Sequence, residues 1–592
     1  MGRDAEPARR FAAQAEAERP AARAPVWQHL EHDAAAASAL RQELSVHPAV
    51  ARLLVQRGFA DPDAARRFLR PSLTDLHDPS GLTDLDRGVD RLLQAVARRE
   101  PIVVHGDYDA DGVSSTVMLR RALERVGGDV DHYVPERLTD GYGLQAGTIE
   151  RLHGAGARVV VSVDCGIRSR EAAERAQALG VDLIVTDHHE PGGTLPPAFA
   201  VINPRRSGCP YPDKDLAGVG VAFKVVQALC ERAGRPEWLR GFIKLAAIGT
   251  LADAVPLRGE NRVIARVGLE RLSAGPHTIG LQALLETSGL AGKQIDSEDV
   301  AFKVAPRINA AGRMSSADLA ARLLLATGQD AAPAARELAE TLNEVNARRR
   351  AEEGAIVAEA MRAVERDPDI GAQSLLVVWG DGWHRGVIGI VASKLVETYA
   401  RPALVLSVDG SEAHGSGRSV PGFDLLAALE HCGDLFVRFG GHRQAAGLVI
   451  ESGRLNDLRQ RLAAYANARL GPEDLTPRLT LDAPLPLTDI GGALIADLRA
   501  MEPFGPGNRR PVFHAAPVEV VDGPHVLKER HLRMAVRQGR ARFRAIAWRA
   551  AERAALFADH GAALQLAFSL NENAYQGRSF VELTVADAVP AG

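Results

Sequence analysis

Five short apolar runs alternate with helix-like segments between residues 102 and 205, and this alternation limits the fold more than any other feature of the chain. The runs are "IVVHGDYDADG", "DHYVP", "RVVVSVDCG", "DLIVTDHHEPG" and "FAVINPR". Between them lie stretches such as "SSTVMLRRALERVGG", stopped by Gly127 and Gly128, and "REAAERAQALG". Strands that alternate with helices build a parallel sheet covered by helices. In such a sheet, ligands gather outside the carboxyl ends of the strands. Three of these runs end in acids and histidines. The first supplies His105, Asp107, Asp109 and Asp111, the third Asp164, and the fourth Asp187, His188 and His189.

One acid after a strand is an ordinary helix cap or turn residue. The same residue types at three strand ends read instead as one crevice that holds metal. Carboxylates and imidazoles without a thiolate suit Mn2+ or Mg2+ rather than structural zinc. Crowded carboxylates repel one another unless cations lie between them, so room for two ions and one bridging carboxylate follows. Sites with two metals activate water and stabilise the leaving oxygen of phosphoryl chemistry. Cys165 reads as a small buried thiol rather than a nucleophile. Ser114, Ser115 and Thr116 read as residues that cap or open the helix after the first run.

A chain of 592 residues is far longer than one core supports. The expected class is α/β multidomain. Residues 1–45 are expected to be a disordered tail, and 46–330 a parallel-sheet domain introduced by short helices. A long linking helix is expected over 331–370, a smaller α/β domain over 371–475, and a small β-barrel of short runs over 476–592. The net charge of −4 excludes a simple polycation. Locally, though, "KERHLRMAVRQGRARFRAIAWR" (528–549) has eight Lys or Arg and one Glu, a basic surface suited to nucleic acid. Phe543 and Trp548 in this stretch are expected in the barrel core. No apolar run approaches the ~20 residues of a membrane span, and the N-terminus lacks the apolar core of a signal peptide. The four cysteines have no zinc spacing and fit a reducing cytoplasm.

His105-x-x-x-Asp109-x-Asp111, Asp164 and Asp187-His188-His189 resemble the successive motifs of the DHH phosphoesterase superfamily. "VPERLTDGYGL", "INPRR", "LAGVGVAFK", "LADAVPLRGENR" and "RINAAGRM" narrow the resemblance, as do "GWHRGVIGIVASKL", "GSGRSVPGFDL", "FGGHRQAAGL" and "MEPFGPGNRRPVF". From about residue 46 to its end the chain resembles the RecJ family of bacterial single-strand-specific 5′→3′ DNA exonucleases, which act in recombination and repair. The resemblance implies a parallel-sheet DHH catalytic domain, a DHH-associated domain on a long helical linker, and a C-terminal OB-like barrel that binds nucleic acid. It implies two divalent ions, Mn2+ or Mg2+. His105, Asp109 and Asp164 would hold one. Asp111, Asp164, His188 and Asp253 would hold the other, with Asp164 bridging; Asp253 comes from the resemblance alone. His189 would face the scissile phosphate, and Asp107 would orient a ligand. The products would be 5′-mononucleotides.

Guanidinium groups match phosphate oxygens. Arg137, Arg307, Arg313 and Arg418 are therefore the candidate DNA contacts, with Asn309 and with His442 in the Gly440-Gly441-His442 turn. Tyr142 is a candidate for stacking on a base. Arg205 and Arg206 read as solvated surface residues. The DHH-associated domain is expected to close over the site and leave a channel too narrow for duplex. The implied partners are single-stranded DNA, single-stranded-DNA-binding protein and a helicase; the chain is expected to be a cytoplasmic monomer. Two alternatives remain. One is a phosphodiesterase of the same superfamily that acts on nano-RNA or cyclic dinucleotides, or a manganese pyrophosphatase, disfavoured by the extra domains. The other is a non-catalytic replication scaffold, disfavoured because every ligand position is filled.

Overall fold

The computed structural model describes residues 25–136, 143–559, 563–575 and 578–591. Arg137 and Tyr142 lie outside the described residues. The chain divides into two compact units: Gln28–Asn343 with Thr480–Gly592, and Glu344–Leu479 with the residues before Gln28. The helix Ala332–Arg366 contains the division.

The larger unit is organised by a parallel sheet of five strands. Their spatial order is Val130–Tyr133, Ile102–His105, Val159–Val163, Asp182–Thr186, Ala200–Ile202, and every neighbouring pair is parallel. The apolar runs are continuous because both faces are covered. Val104, Val161, Ile184 and Ile202 enter one core, with the helices Leu85–Arg98, Ala110–Arg125 and Gly218–Arg232. Val103, Val160, Val185 and Val201 enter a second core, with the helices Ala146–Gly154 and Arg170–Leu179. The first strand in sequence lies between the second and the third. Chain connections therefore leave the strand Ile102–His105 towards one side and reach Val159–Val163 on the other, and this reversal opens a crevice at the carboxyl edge.

The same unit holds the barrel. Phe513–Leu527, His531–Gln538, Ala541–Ala547, Arg578–Pro590 and Leu564–Tyr575 pair in that order, and the last pairs back with the first. Closure leaves these five strands without an open edge. Leu532, Met534 and Val536 point inwards opposite Ala547, Ala545 and Phe543. Phe543 thus packs on the core as expected. Trp548 does not: it follows the last paired residue of its strand and is 56% exposed.

The tail expected over residues 1–45 does not extend that far. Val26–His29 is a strand, and Ala34–Leu44 is a helix whose first amides are capped by Asp33. The helix has a reason to form that local pattern does not show, because Leu40 is buried in the barrel's own core. Val50, Leu53, Leu54 and Phe68 join it there, so the N-terminal helices and the barrel share one apolar cluster.

The smaller unit has a five-stranded sheet ordered Phe436–His442, Ala445–Glu451, Glu412–Arg418, Ala403–Asp409, Leu376–Asp381. Only its last pair is parallel. No helix of the described residues is long and apolar enough to cross a membrane.

Candidate metal centre

The first strand ends at His105, and the chain turns through Gly106 to Asp109, whose side chain accepts from the amides of Asp111 and Gly112 and so caps the helix Ala110–Arg125. Ser114, Ser115 and Thr116 do not open this helix. They lie inside its buried body, where Ser115 and Thr116 donate to the carbonyls of Asp111 and Gly112. Asp107 and Asp109 face the crevice, and Asp111 is the second residue of the helix. Its carboxylate accepts from the amides of Gly218 and Val219, at 2.8 and 2.6 Å, where the helix Gly218–Arg232 begins. That helix end offers unpaired amides and the positive end of its dipole to an anion.

Asp164 ends the central strand with φ +60°, a left-handed conformation rare for a residue with a Cβ. Its amide donates to the Thr186 carbonyl, which fixes it there. A Cβ on Gly218 would overlap the Asp164 carboxylate, so only glycine lets the helix approach so closely. His188 Nε2 lies 3.2 Å from Asp164 Oδ1 and 3.7 Å from Asp253 Oδ2. Asp253 follows the last turn of the buried helix Ile243–Ala252.

Asp187, the first acid of the motif at residues 187–189, is a clamp. It is buried, and its Oδ2 accepts from the Ile167 amide at 2.9 Å, binding the loop that follows Asp164. Its Oδ1 accepts from the amides of His188 and His189 and faces His189 Nδ1 at 2.7 Å. An ionised carboxylate only accepts, so the imidazole proton is assigned to Nδ1. Burial works against the charge on Asp187, yet the hydrogen bond and charge of His189 hold its carboxyl below the usual range. The Asn203 side chain donates to the His189 carbonyl and supports the motif from the next strand end.

Three overlapping sets of donor atoms result, each within 4.8 Å: Asp107, Asp109 and Asp164; Asp111, His188 and Asp253; Asp164, His188 and His189. Burial, reinforced by neighbouring carboxylates, pushes the Asp111 and Asp164 carboxyls well above the usual range. Asp164 Oδ1 and Asp253 Oδ2 are buried and accept no hydrogen bond. Hard oxygen donors, mutual repulsion and buried oxygens without hydrogen bonds fit divalent cations such as Mn2+ or Mg2+. The cavity between these groups measures about 180 Å³ and is lined by the same acids and histidines with Tyr108 and Arg313.

The expected residues do not all meet there. His105 is buried, with Nδ1 3.6 Å from Cys165 Sγ, and does not belong to the three donor sets. Asp107, expected to orient a ligand, offers a donor atom of its own. Arg313 reaches the cavity. Asn309 accepts from the Ala110 amide and so steadies the first motif. Arg307 donates to Asn343 and to the carbonyls of Lys303 and Thr287. Arg418 and His442 belong to the smaller unit; Arg418 donates to the Gly417 carbonyl and Ser416, and His442 ends an exposed edge strand. Arg205 and Arg206 are not simply solvated: Arg205 pairs with Glu190 and Asp215, and Arg206 with Asp84. Cys165 is buried, and burial raises its thiol pKa well above the ordinary value, as a structural thiol requires. The roles of Asp187 and Tyr108 were not assigned from the sequence. An acid beside two histidines at a strand end was the available signal for Asp187.

Three family models match the chain: the DHH family N-terminal domain over residues 101–250, the DHHA1 domain over 372–468 and the RecJ OB domain over 481–587. The chain is 34% identical to the single-stranded-DNA-specific exonuclease RecJ of Salmonella typhimurium, over 92% of this chain and 96% of that one. The chain belongs to the RecJ family. The RecJ of Bacillus subtilis is 40% identical over 82% of this chain, which spans about three fifths (61%) of that relative. The crystal structure of RecJ from Thermus thermophilus in complex with Mn2+ superposes with a TM-score of 0.81 at 32% identity, covering 96% of this chain and 80% of that one. The RecJ match includes the parallel sheet, the DHH-associated domain and the closed barrel in one chain.

Proposed function

We infer that this chain is a metal-dependent exonuclease that hydrolyses single-stranded DNA from its 5′ end to 5′-mononucleotides, in DNA recombination and repair. The observation that carries this reading is the set of overlapping donor groups around one cavity, within a chain of the RecJ family. Bound Mn2+ or Mg2+ supplies the Lewis acidity and the activated water of phosphodiester hydrolysis. The chain's own residues do the rest. Asp164 and His188 each belong to two donor sets and so fix the spacing of the ions. Asp187 accepts from His189 Nδ1 and fixes the ring's orientation at the cavity, where the imidazole, when protonated at both nitrogens, donates to a phosphate oxygen or a leaving group. Arg313 brings positive charge beside Asp109 at the rim, where it holds the phosphate. His105 closes the end of the first strand, its ring stacked on Tyr133 with centroids 5.6 Å apart.

The barrel supports a nucleic-acid substrate. On its outer face Arg537 stands opposite Arg542, and Ala535 opposite Arg544, with Arg533 on the same side. Trp548 stands out beside them, edge-on to His531 with ring centroids 4.8 Å apart. Cations track a phosphate backbone, and an exposed indole stacks on any base. The chain works as a monomer in the cytoplasm. Single-stranded-DNA-binding protein and a helicase are its proposed partners by family.

The test is degradation of a long single strand labelled at either end, with Mn2+ and with chelator. Early, metal-dependent release of the 5′ label as mononucleotide, with duplex spared, is the expected result. Hydrolysis of dinucleotides or pyrophosphate without attack on the long strand would assign the chain to the small-substrate branch of the superfamily. Inactivity on all of them would make it a scaffold.

A further inference from the structure

Three successive side chains in the first turn of the helix Gly259–Ala274 are buried, polar and aimed at different parts of the unit. Glu260 accepts from Tyr211, from Lys224 and from the His77 amide. Arg262 donates to the carbonyls of Phe68, Ala500 and Glu502, under the Phe68 ring. Asn261, between them, has no exposed surface and turns to the segments next to Gly218 and Asp253. Its Oδ1 accepts from the Ala217 amide at 3.2 Å, and its Nδ2 donates to the carbonyls of Asp215 at 2.5 Å and Pro256 at 3.1 Å.

Those three contacts join two loops that carry ligand groups. Ala217 directly precedes Gly218 and Val219, whose amides hold Asp111, and Gly218 abuts Asp164. Pro256 lies three residues after Asp253. The Arg262 side chain hydrogen-bonds to neither loop, and Glu260 meets the first of them only at Tyr211. We propose that Asn261 is a positioning residue that sets the distance from Asp253 to Asp111 and Asp164, and thereby the geometry of the Asp111–His188–Asp253 donor set.

The chemistry favours an amide here. Two backbone carbonyls and one backbone amide meet at this point, and a neutral side chain with two donors and one acceptor satisfies all three. An aspartate of the same shape keeps the Ala217 bond but loses both donors and adds a buried charge. Glu260 and Arg262 anchor the helix on either side, so the Asn261 side chain cannot follow a loop that moves. Outer groups that orient ligands typically account for about 10–100-fold in metal affinity.

This inference rests on the reading of the acids as metal ligands, and the measurement that decides it needs no substrate. Mn2+ is titrated calorimetrically into the metal-free full chain, its Asn261→Ser variant and its Asn261→Asp variant, and thermal melting is followed in parallel. The parent is expected to bind two ions. In both variants one ion is expected to weaken about 10-fold or more, while the other keeps its affinity. Nuclease activity of Asn261→Ser is expected to recover as Mn2+ is raised. Arg262→Lys, whose partners Phe68, Ala500 and Glu502 lie in neither loop, is expected to lower the melting temperature and leave both affinities unchanged. Parent-like isotherms in either folded variant would overturn the proposal. So would equal weakening in Arg262→Lys, which would make the effect general loosening. If Asn261→Ser does not fold, Asn261→Asp decides alone. A parent that binds two ions but leaves DNA intact contradicts the nuclease reading and spares this one.

Discussion

At the carboxyl edge of the parallel sheet the functional groups are buried and held by one another. On the barrel of the same unit they stand out from the strand faces into solvent. Asp164 is 3% exposed and sits where strand order reverses, whereas Trp548 is 56% exposed and follows the end of its strand. The first region gains its chemistry from convergence, because topology brings three distant stretches of chain to one cavity. The second gains it from repetition, because alternation along paired strands puts Arg533, Arg537, Arg542 and Arg544 on one face. A buried, convergent site fails sharply when one group is lost. A repeated, exposed surface fails by increments.

That contrast can be tested by substitution, starting where the largest effect is expected. Asp164→Asn removes a carboxylate shared by two donor sets. Turnover should fall on the order of 10³-fold or more, as for groups that act as one unit, and melting should show that the fold survives. Asp187→Asn keeps the shape but weakens the hold on His189. Activity or Mn2+ affinity should fall about 10–100-fold, the usual effect of an orienting partner. On the barrel, Trp548→Ala should weaken binding of a long single strand by about 1–3 kcal/mol, the worth of one stacked base. It should leave hydrolysis of very short oligonucleotides unchanged. Smallest is the Arg542→Ala and Arg544→Ala pair. The slope of log binding constant against log salt should flatten by about 0.7 for each lost phosphate contact on single strands, read from a salt titration. A collapse of all binding in the pair would break the comparison, since it would make the barrel surface as cooperative as the metal centre.

The strand-end acids were legible because a parallel sheet needs only its periodicity to declare where its carboxyl ends fall. Asp107, Asp109, Asp111, Asp164 and His188 could be placed in one crevice from that alone. Asp253 could not, because an acid after an apolar helix looks like any turn residue; only family resemblance supplied it. The roles of Asp187 and Asn261 were hidden for another reason. Their work is to bind backbone groups far away in sequence, at Ile167, Ala217 and Asp215, and no local pattern records such partners. The helix Ala34–Leu44 was missed likewise, since its apolar partner is a barrel hundreds of residues later. Trp548 was misplaced because its strand stops one residue too soon for alternation to govern it. The shared cluster of Leu40, Leu53 and Leu54 with the barrel also explains why point substitutions, not removal of the barrel, are the informative probes. Truncation would expose that apolar face and confuse lost binding with lost stability.

The central claim is that the strand ends hold two divalent ions that share Asp164. Anomalous scattering from crystals grown with Mn2+ tests it most directly. The account predicts two peaks in the cavity, one beside Asp107 and Asp109 and one beside Asp111, His188 and Asp253, both within bonding distance of the Asp164 carboxylate. A single peak, or two peaks with Asp164 bound to neither, would contradict it.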